Sequence, residues 1–117
     1  MTSKTNSEVC LTEKKCKPCE GGVPSLTETQ ARGFMKQLKA GWELSSGAKE
    51  ISKEYRFKNF KETMGFVNFV AAIAEGEGHH PDMEVSWGKC RIRLSTHSIK
   101  GLSENDFILA AKIDALV

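Results

Sequence analysis

Read for the spacing of apolar residues, the chain alternates between helical periods and strict alternation. Ala31, Phe34, Met35 and Leu38 recur at helical spacing behind Leu26-Thr-Glu-Thr-Gln30. Thr27 as N-cap with Gln30 three residues on makes a capping box, Leu26 and Ala31 are placed as its staple, and Gly41 is placed to end the helix in a left-handed turn. Trp42-Glu-Leu44 then alternates, Ser45-Ser46-Gly47 turns, and Ile51, Tyr55 and Phe57 interleave with Ser52, Glu54 and Arg56, which predicts a hairpin. Lys53 falls on the apolar parity, as expected of a strand near a sheet edge, where an inward charge deters pairing with another sheet.

Asn59 with Glu62 caps a second helix that runs to about Glu75. One stripe holds Phe60, Met64, Val67, Ala71 and Ala74, and another holds Phe66, Phe69, Val70 and Ile73. Together they wrap more of the circumference than one sheet face can cover, which predicts burial beneath neighbouring helices or a subunit interface made by this helix. A second alternating pair follows. With Gly88-Lys89 as a type II′ turn, Trp87 faces Cys90, Val85 faces Ile92 and Met83 faces Leu94, while Ser86 with Arg91 and Glu84 with Arg93 fall on the polar side. Trp87 is then a core residue. The same register places His80 opposite His97, a prediction of proximity only, since Pro81 cannot donate a ladder bond. Ser103 as N-cap, with Asp106 at N3 and Leu102 and Phe107 as staple, opens a last helix carrying Leu109, Ala110, Ile113 and Leu116.

The order is helix-strand-strand-helix-strand-strand-helix. It predicts an α+β fold, a four-stranded antiparallel sheet with three helices packed on one face, leaving the other face or its rim for a ligand. Residues 1–24 are polar, carry Gly21-Gly22 and Pro24, show no sustained period and read as a loosely ordered arm before a domain spanning 25–117.

Length and charge narrow the function. A chain of 117 residues makes one domain with a modest core. Its longest apolar run, from Gly65 to Ala74, is interrupted by Asn68 and is too short to span a bilayer. The N-terminus lacks the apolar segment of a secretory signal, so a cytoplasmic location is expected. The net charge of +2 is spread among both signs, and without a basic stripe direct binding of nucleic acid is not expected. Cys16-Lys-Pro-Cys19 has a CxxC spacing, with Cys10 nearby. No second pair completes a four-ligand set, and no strand precedes it as a redox motif requires, so reduced thiols on the arm are the expectation.

The candidate chemistry is concentrated in one stretch, because His79, His80 and His97 are the three histidines of the chain. Three readings are open. Acid–base catalysis suits a dehydration, which must protonate a departing hydroxyl and take a proton elsewhere. A divalent metal could be held by three imidazoles, or by two with Glu75, Glu77 or Asp82. The histidines could also simply cap strand ends. Adjacent residues of a regular strand point to opposite faces, which opposes joint binding of a metal by His79 and His80 unless Pro81 distorts the chain.

Glu75, His79-His80-Pro81, Trp87, His97 and Asp106 at these spacings resemble the signature of the pterin-4a-carbinolamine dehydratases. Arg56-Phe-Lys-Asn-Phe-Lys61 and Thr96-His-Ser-Ile-Lys-Gly-Leu102 are similar to runs in bacterial members. The resemblance covers the chain from the first helix onward and implies the fold derived above. It implies dehydration of 4a-hydroxytetrahydropterin to quinonoid dihydropterin after an aromatic amino acid hydroxylase has used a tetrahydropterin, with no metal or other cofactor. By position it makes His79, His80 and His97 catalytic and puts Pro81, Thr96, Ser98, Ile99, Glu75 and Asp106 at substrate-binding positions. His80 and His97 would bracket the reacting centre while His79 orients the pterin. It further implies a homodimer or homotetramer through helices, an aromatic amino acid hydroxylase as a possible partner, and, from animal members, the alternative of a non-catalytic dimerisation module for transcription. Gly78 departs from the animal pattern, which has an acidic residue before the histidine pair, and Glu77 is a possible substitute.

Overall fold

The computed structural model describes residues 11–17 and 24–117. In chain order these form a 3-10 turn at Leu11–Glu13, α1 (Glu28–Met35), β1 (Glu43–Leu44), β2 (Ile51–Arg56), α2 (Phe60–Glu77), β3 (Asp82–Ser86), β4 (Lys89–Leu94), a 3-10 turn at His97–Ile99, and α3 (Glu104–Asp114). The predicted order of helices and strands is therefore present. The strands form an antiparallel sheet in the order β1-β2-β4-β3. Ile51 and Tyr55 from β2 and Cys90, Ile92 and Leu94 from β4 are buried with Phe107, Leu109 and Ile113 of α3. α3 is the most enclosed element, since nearly all its residues from Asn105 to Asp114 are buried.

The capping signals are realised where they were predicted. Thr27 Oγ1 accepts from the Gln30 amide and the Gln30 side chain accepts from the Thr27 amide, at 3.2 and 2.9 Å, while Asn59 Oδ1 accepts from the Glu62 amide at 2.8 Å. α1 is shorter than its apolar pattern. It ends at Met35, and the amides of Gln37 and Leu38 turn back to the carbonyls of Phe34 and Met35 in tighter turns. Gly41, expected to close this helix, instead has φ of +109° in the approach to β1, where a Cβ would lie 3.0 Å from the Lys53 side chain. The anchoring of Trp42 nearby, whose indole N–H donates to buried Asp114 at 2.8 Å, overrides the helical propensity of the preceding residues.

Lys53 also points to Asp114. Its ammonium donates to Asp114 Oδ1 at 2.7 Å and the Tyr55 hydroxyl to the same oxygen at 2.5 Å; burial, and then this carboxylate, push the Tyr55 phenol upward. β2 lies inside the sheet, although β1 pairs only with Ile51 and Ser52. The inward charge that suggested edge protection is a buried ion pair.

The β3–β4 hairpin departs from the predicted register. Met83 faces Ile92, Val85 faces Cys90, Ser86 faces Lys89 and Glu84 faces Arg91, so the turn is Trp87-Gly88 rather than Gly88-Lys89. The shift is by two residues, which keeps every side chain on its predicted face. Trp87 is the exception. It leaves the strand and is 66% exposed, correcting its expected core position. Contacts with the segment before α2 and with the first turn of α2 explain the choice of turn: the Phe57 amide donates to the Gly88 carbonyl at 2.8 Å, the Thr63 hydroxyl lies 2.9 Å from the Trp87 carbonyl, and a Cβ on residue 88 would meet the Phe57 carbonyl at 3.0 Å. Glycine is required there by close approach.

Residues 11–17, predicted to belong to a loose arm, lie against α3. Leu11 is 3% exposed in the core cluster, and the Lys14 ammonium pairs with Glu104 at 2.6 Å. Cys10 and Cys19 lie outside the described residues. No helix of the described residues is long and apolar enough to cross a membrane.

Candidate active site

The histidines are placed by the end of α2. Gly78 terminates it in the left-handed conformation, φ +67°, with its amide turned back to the carbonyls of Ala74 and Glu75. His79, His80 and Pro81 then form an irregular link before β3 opens at Asp82. The alternation rule for strands consequently does not separate His79 from His80. Glycine suits this position, since a side chain there would be held at positive φ. No atom lies within 4 Å of a Cβ built at Gly78, so Gly78→Ala is expected to cost about 1 kcal/mol by backbone strain alone, measured by urea denaturation.

A cavity of about 610 Å³ opens at this point, lined by His79, His80, Pro81, Thr96, His97 and Ser98, together with Cys16, Lys17, Glu77, Gly78, Asp82, Ser95 and Asn105. Its size falls in the roughly 300–1,000 Å³ range of ligand pockets. It lies at the rim of the sheet. The open sheet face instead carries charges, with Arg91 near Glu43 and Arg93 paired with Glu84. A cavity of about 760 Å³ on the far side of residues 14–17 is lined by Gln30, Phe34, Gln37 and Ile108, among others, and contains no histidine.

His79 is the most firmly held of the three. Its side chain is 12% exposed and its Nε2 lies 2.6 Å from Asp106 Oδ1. Asp106 is completely buried. Its Oδ2 accepts from Thr96 Oγ1 at 2.8 Å and from the Ser103 amide at 2.9 Å. One carboxylate thus both completes the predicted cap of α3 and holds the imidazole. His80 Nε2 lies 2.8 Å from Glu75 Oε1, but both side chains are exposed. His97 begins a 3-10 turn beyond β4 with Asp82 at 4.0 Å. With the corrected register, His80 and His97 are not cross-strand partners; the cavity rather than the ladder brings them together.

Of the other predicted residues, Pro81, Thr96 and Ser98 line the cavity, whereas Asp106 stands behind His79, and Glu75 and Ile99 are not among the lining residues. Sequence reading missed Cys16, Lys17, Ser95 and Asn105. Asn105, adjacent to the recognised Asp106, had no distinguishing local pattern. Glu77, expected as a metal donor or a source of negative charge, instead pairs with Lys112 at 2.6 Å and accepts the Cys16 amide at 2.8 Å; Lys112 first, then that amide, hold its carboxyl below the usual range. Among the described residues, no three His, Cys, Asp or Glu side chains are grouped as metal donors.

Burial, reinforced by Glu77, pushes the Cys16 thiol up to about 12. It therefore stays protonated near neutrality, and alkylation of the Cys16 peptide at mildly alkaline pH is expected to be at least roughly tenfold slower than after unfolding, as read by mass spectrometry.

A family model described as Pterin 4 alpha carbinolamine dehydratase matches residues 24–116. Proteins provisionally named pterin-4-alpha-carbinolamine dehydratases are similar over nearly their full lengths. That of Nitrosomonas eutropha is 51% identical over 95% of this chain and 97% of its own; that of Methylococcus capsulatus is 46% identical over 91% and 92%. Among solved structures, a transcriptional coactivator/pterin dehydratase from Brucella melitensis superposes with a TM-score of 0.74 at 32% identity, over 79% of this chain and 97% of its own. A pterin dehydratase-like protein described as a RuBisCO assembly factor in the alpha-carboxysome gives 0.57 at 25% identity, over 65% and 88%. The match to residues 24–116 takes in the three histidines, their carboxylate partners and the helices and strands that position them, and the chain belongs to the pterin 4 alpha carbinolamine dehydratase family.

Proposed function

We propose that the protein dehydrates 4a-hydroxytetrahydropterin to quinonoid dihydropterin, recycling the pterin after hydroxylation of an aromatic amino acid. The observation that carries this reading is the cavity shared by the three histidines, with His79 fixed by buried Asp106. In the reaction the C4a–O bond breaks, the N5–H proton is lost, N5 and C4a become doubly bonded, and the hydroxyl leaves as water. Two proton positions must be served at once, one at the oxygen and one at N5. His80 and His97 serve them from the exposed side of the cavity. His79 orients the ring, its Nε2 engaged by Asp106, while Pro81, Thr96 and Ser98 supply surface and polar contacts for the pterin.

The test is a stopped-flow assay of the carbinolamine on the purified protein with a chelator present. Dehydration faster than the spontaneous rate is expected. A rate equal to the spontaneous one overturns the reading, and activity abolished by the chelator overturns the metal-free mechanism.

A second reading is favoured by a specific surface. Phe69 of α2 is 65% exposed, and Phe60 and Trp87 are exposed as well, so the over-wide apolar helix is not covered within one copy. This supports self-association through helices into a homodimer or homotetramer, and it leaves a non-catalytic interaction role, with an aromatic amino acid hydroxylase or another partner, as the alternative. The names of the two structural relatives give that alternative weight. A His80→Ala, His97→Ala variant separates the two: loss of both turnover and cellular rescue supports the enzyme, whereas rescue without turnover supports the binding role.

A further inference from the structure

Within residues 14–17, Cys16 and Lys17 line both cavities. The segment thus supplies part of the lining of the histidine cavity. Local turn chemistry does not hold it there. The Lys17 amide donates to Asn105 Oδ1 at 2.9 Å, and Asn105 Nδ2 donates to the Lys17 carbonyl at 2.5 Å. The Cys16 amide donates to Glu77 Oε1 at 2.8 Å, and its thiol lies 3.6 Å from the Asn105 carbonyl. Asn105 therefore binds the main chain of one residue from both sides, as a neighbouring strand would, while standing next to Asp106, the support of His79.

We propose that Cys16 and Lys17 form a wall of the pterin pocket and that Asn105 is the positioning residue that keeps this wall closed. The inference deepens the function proposed above and rests on it. Releasing the wall removes one side of the pocket without disturbing the Asp106–His79 contact. Substrate binding then weakens in proportion to the fraction of molecules whose wall is open. Chemistry on the bound substrate continues, because the histidines remain in place. Cys16 serves here as a packing surface and hydrogen-bond donor; its protonated thiol is not a nucleophile.

The test combines kinetics with hydrogen exchange on the full chain. Asn105→Ala is expected to raise KM roughly tenfold, the effect of losing two hydrogen bonds to a marginally held segment, with kcat changed less than about twofold on the same argument. Exchange of the Cys16 and Lys17 amides accelerates in this variant, and a bound pterin slows it in the wild type. Asn105→Asp, which keeps the acceptor for the Lys17 amide and loses the donor to its carbonyl, restores part of the KM. Lys17→Pro removes the same amide from the arm side without touching α3, so it gives the rise in KM even if Asn105→Ala folds poorly. KM unchanged in a variant whose amides exchange freely overturns the inference, as do unchanged exchange in both variants and a fall in kcat equal to the loss of kcat/KM. A wild-type protein that neither binds nor dehydrates pterin overturns the functional reading itself, and the inference falls with it; normal wild-type turnover with an unmoved KM overturns the inference alone.

Discussion

His79→Ala is expected to slow pterin dehydration by roughly 10²-fold, the cost of misplacing a substrate against the groups that move its protons. The size of the effect follows from how this imidazole is held. It is the least exposed of the three histidines and the one with a fully buried partner, so its orientation is set before substrate arrives. Asp106→Asn leaves an oxygen for the Thr96 hydroxyl and the Ser103 amide but removes the charge facing His79; its loss of turnover should fall between those of wild type and His79→Ala. Glu75→Gln should change the rate little, because the pair it forms with His80 is exposed on both sides and such pairs are worth little. Steady-state kinetics on the three variants check the order. A His79→Ala enzyme within a few fold of wild type would show that Asp106 supports the fold alone.

Asp114→Ala is expected to be the most destabilising single substitution, at about 3–5 kcal/mol, the range for removing one partner of a buried ion pair. Three donors lose their acceptor at once: the Trp42 indole, the Tyr55 hydroxyl and the Lys53 ammonium. The Lys53 side chain is only 13% exposed, so little water can replace the carboxylate. The double variant Lys53→Met, Asp114→Asn removes both charges together and should lose less than Asp114→Ala. Urea denaturation measures both, and a loss below about 1 kcal/mol in Asp114→Ala would place the pair in the exposed class.

Much of this fold can be read locally. The caps at Thr27 and Asn59, the faces of β2 and β4, and the over-wide apolar surface of α2 all depend on residues a few positions apart. The hairpin register shows the limit of such reading. Alternation constrains parity, and a displacement of two residues satisfies it equally well, so the turn was settled by contacts of Trp87 and Gly88 with Phe57 and Thr63. The fate of Lys53 was invisible for a related reason, since its acceptor lies 61 residues away.

The site divides along the same line. The sequence alone determined which residues could do the chemistry, because histidine at three positions and a family-like spacing are properties of the chain itself. Only the tertiary structure decided how they are held. The contact between His79 and Asp106 spans 27 residues, and those joining Cys16 to Glu77 and Lys17 to Asn105 span 61 and 88. Hydrogen bonds between residues so distant leave no periodic trace in the chain. They become defined only when α2, α3 and the N-terminal segment pack together, and their packing makes the cavity, its firmly held imidazole and its wall.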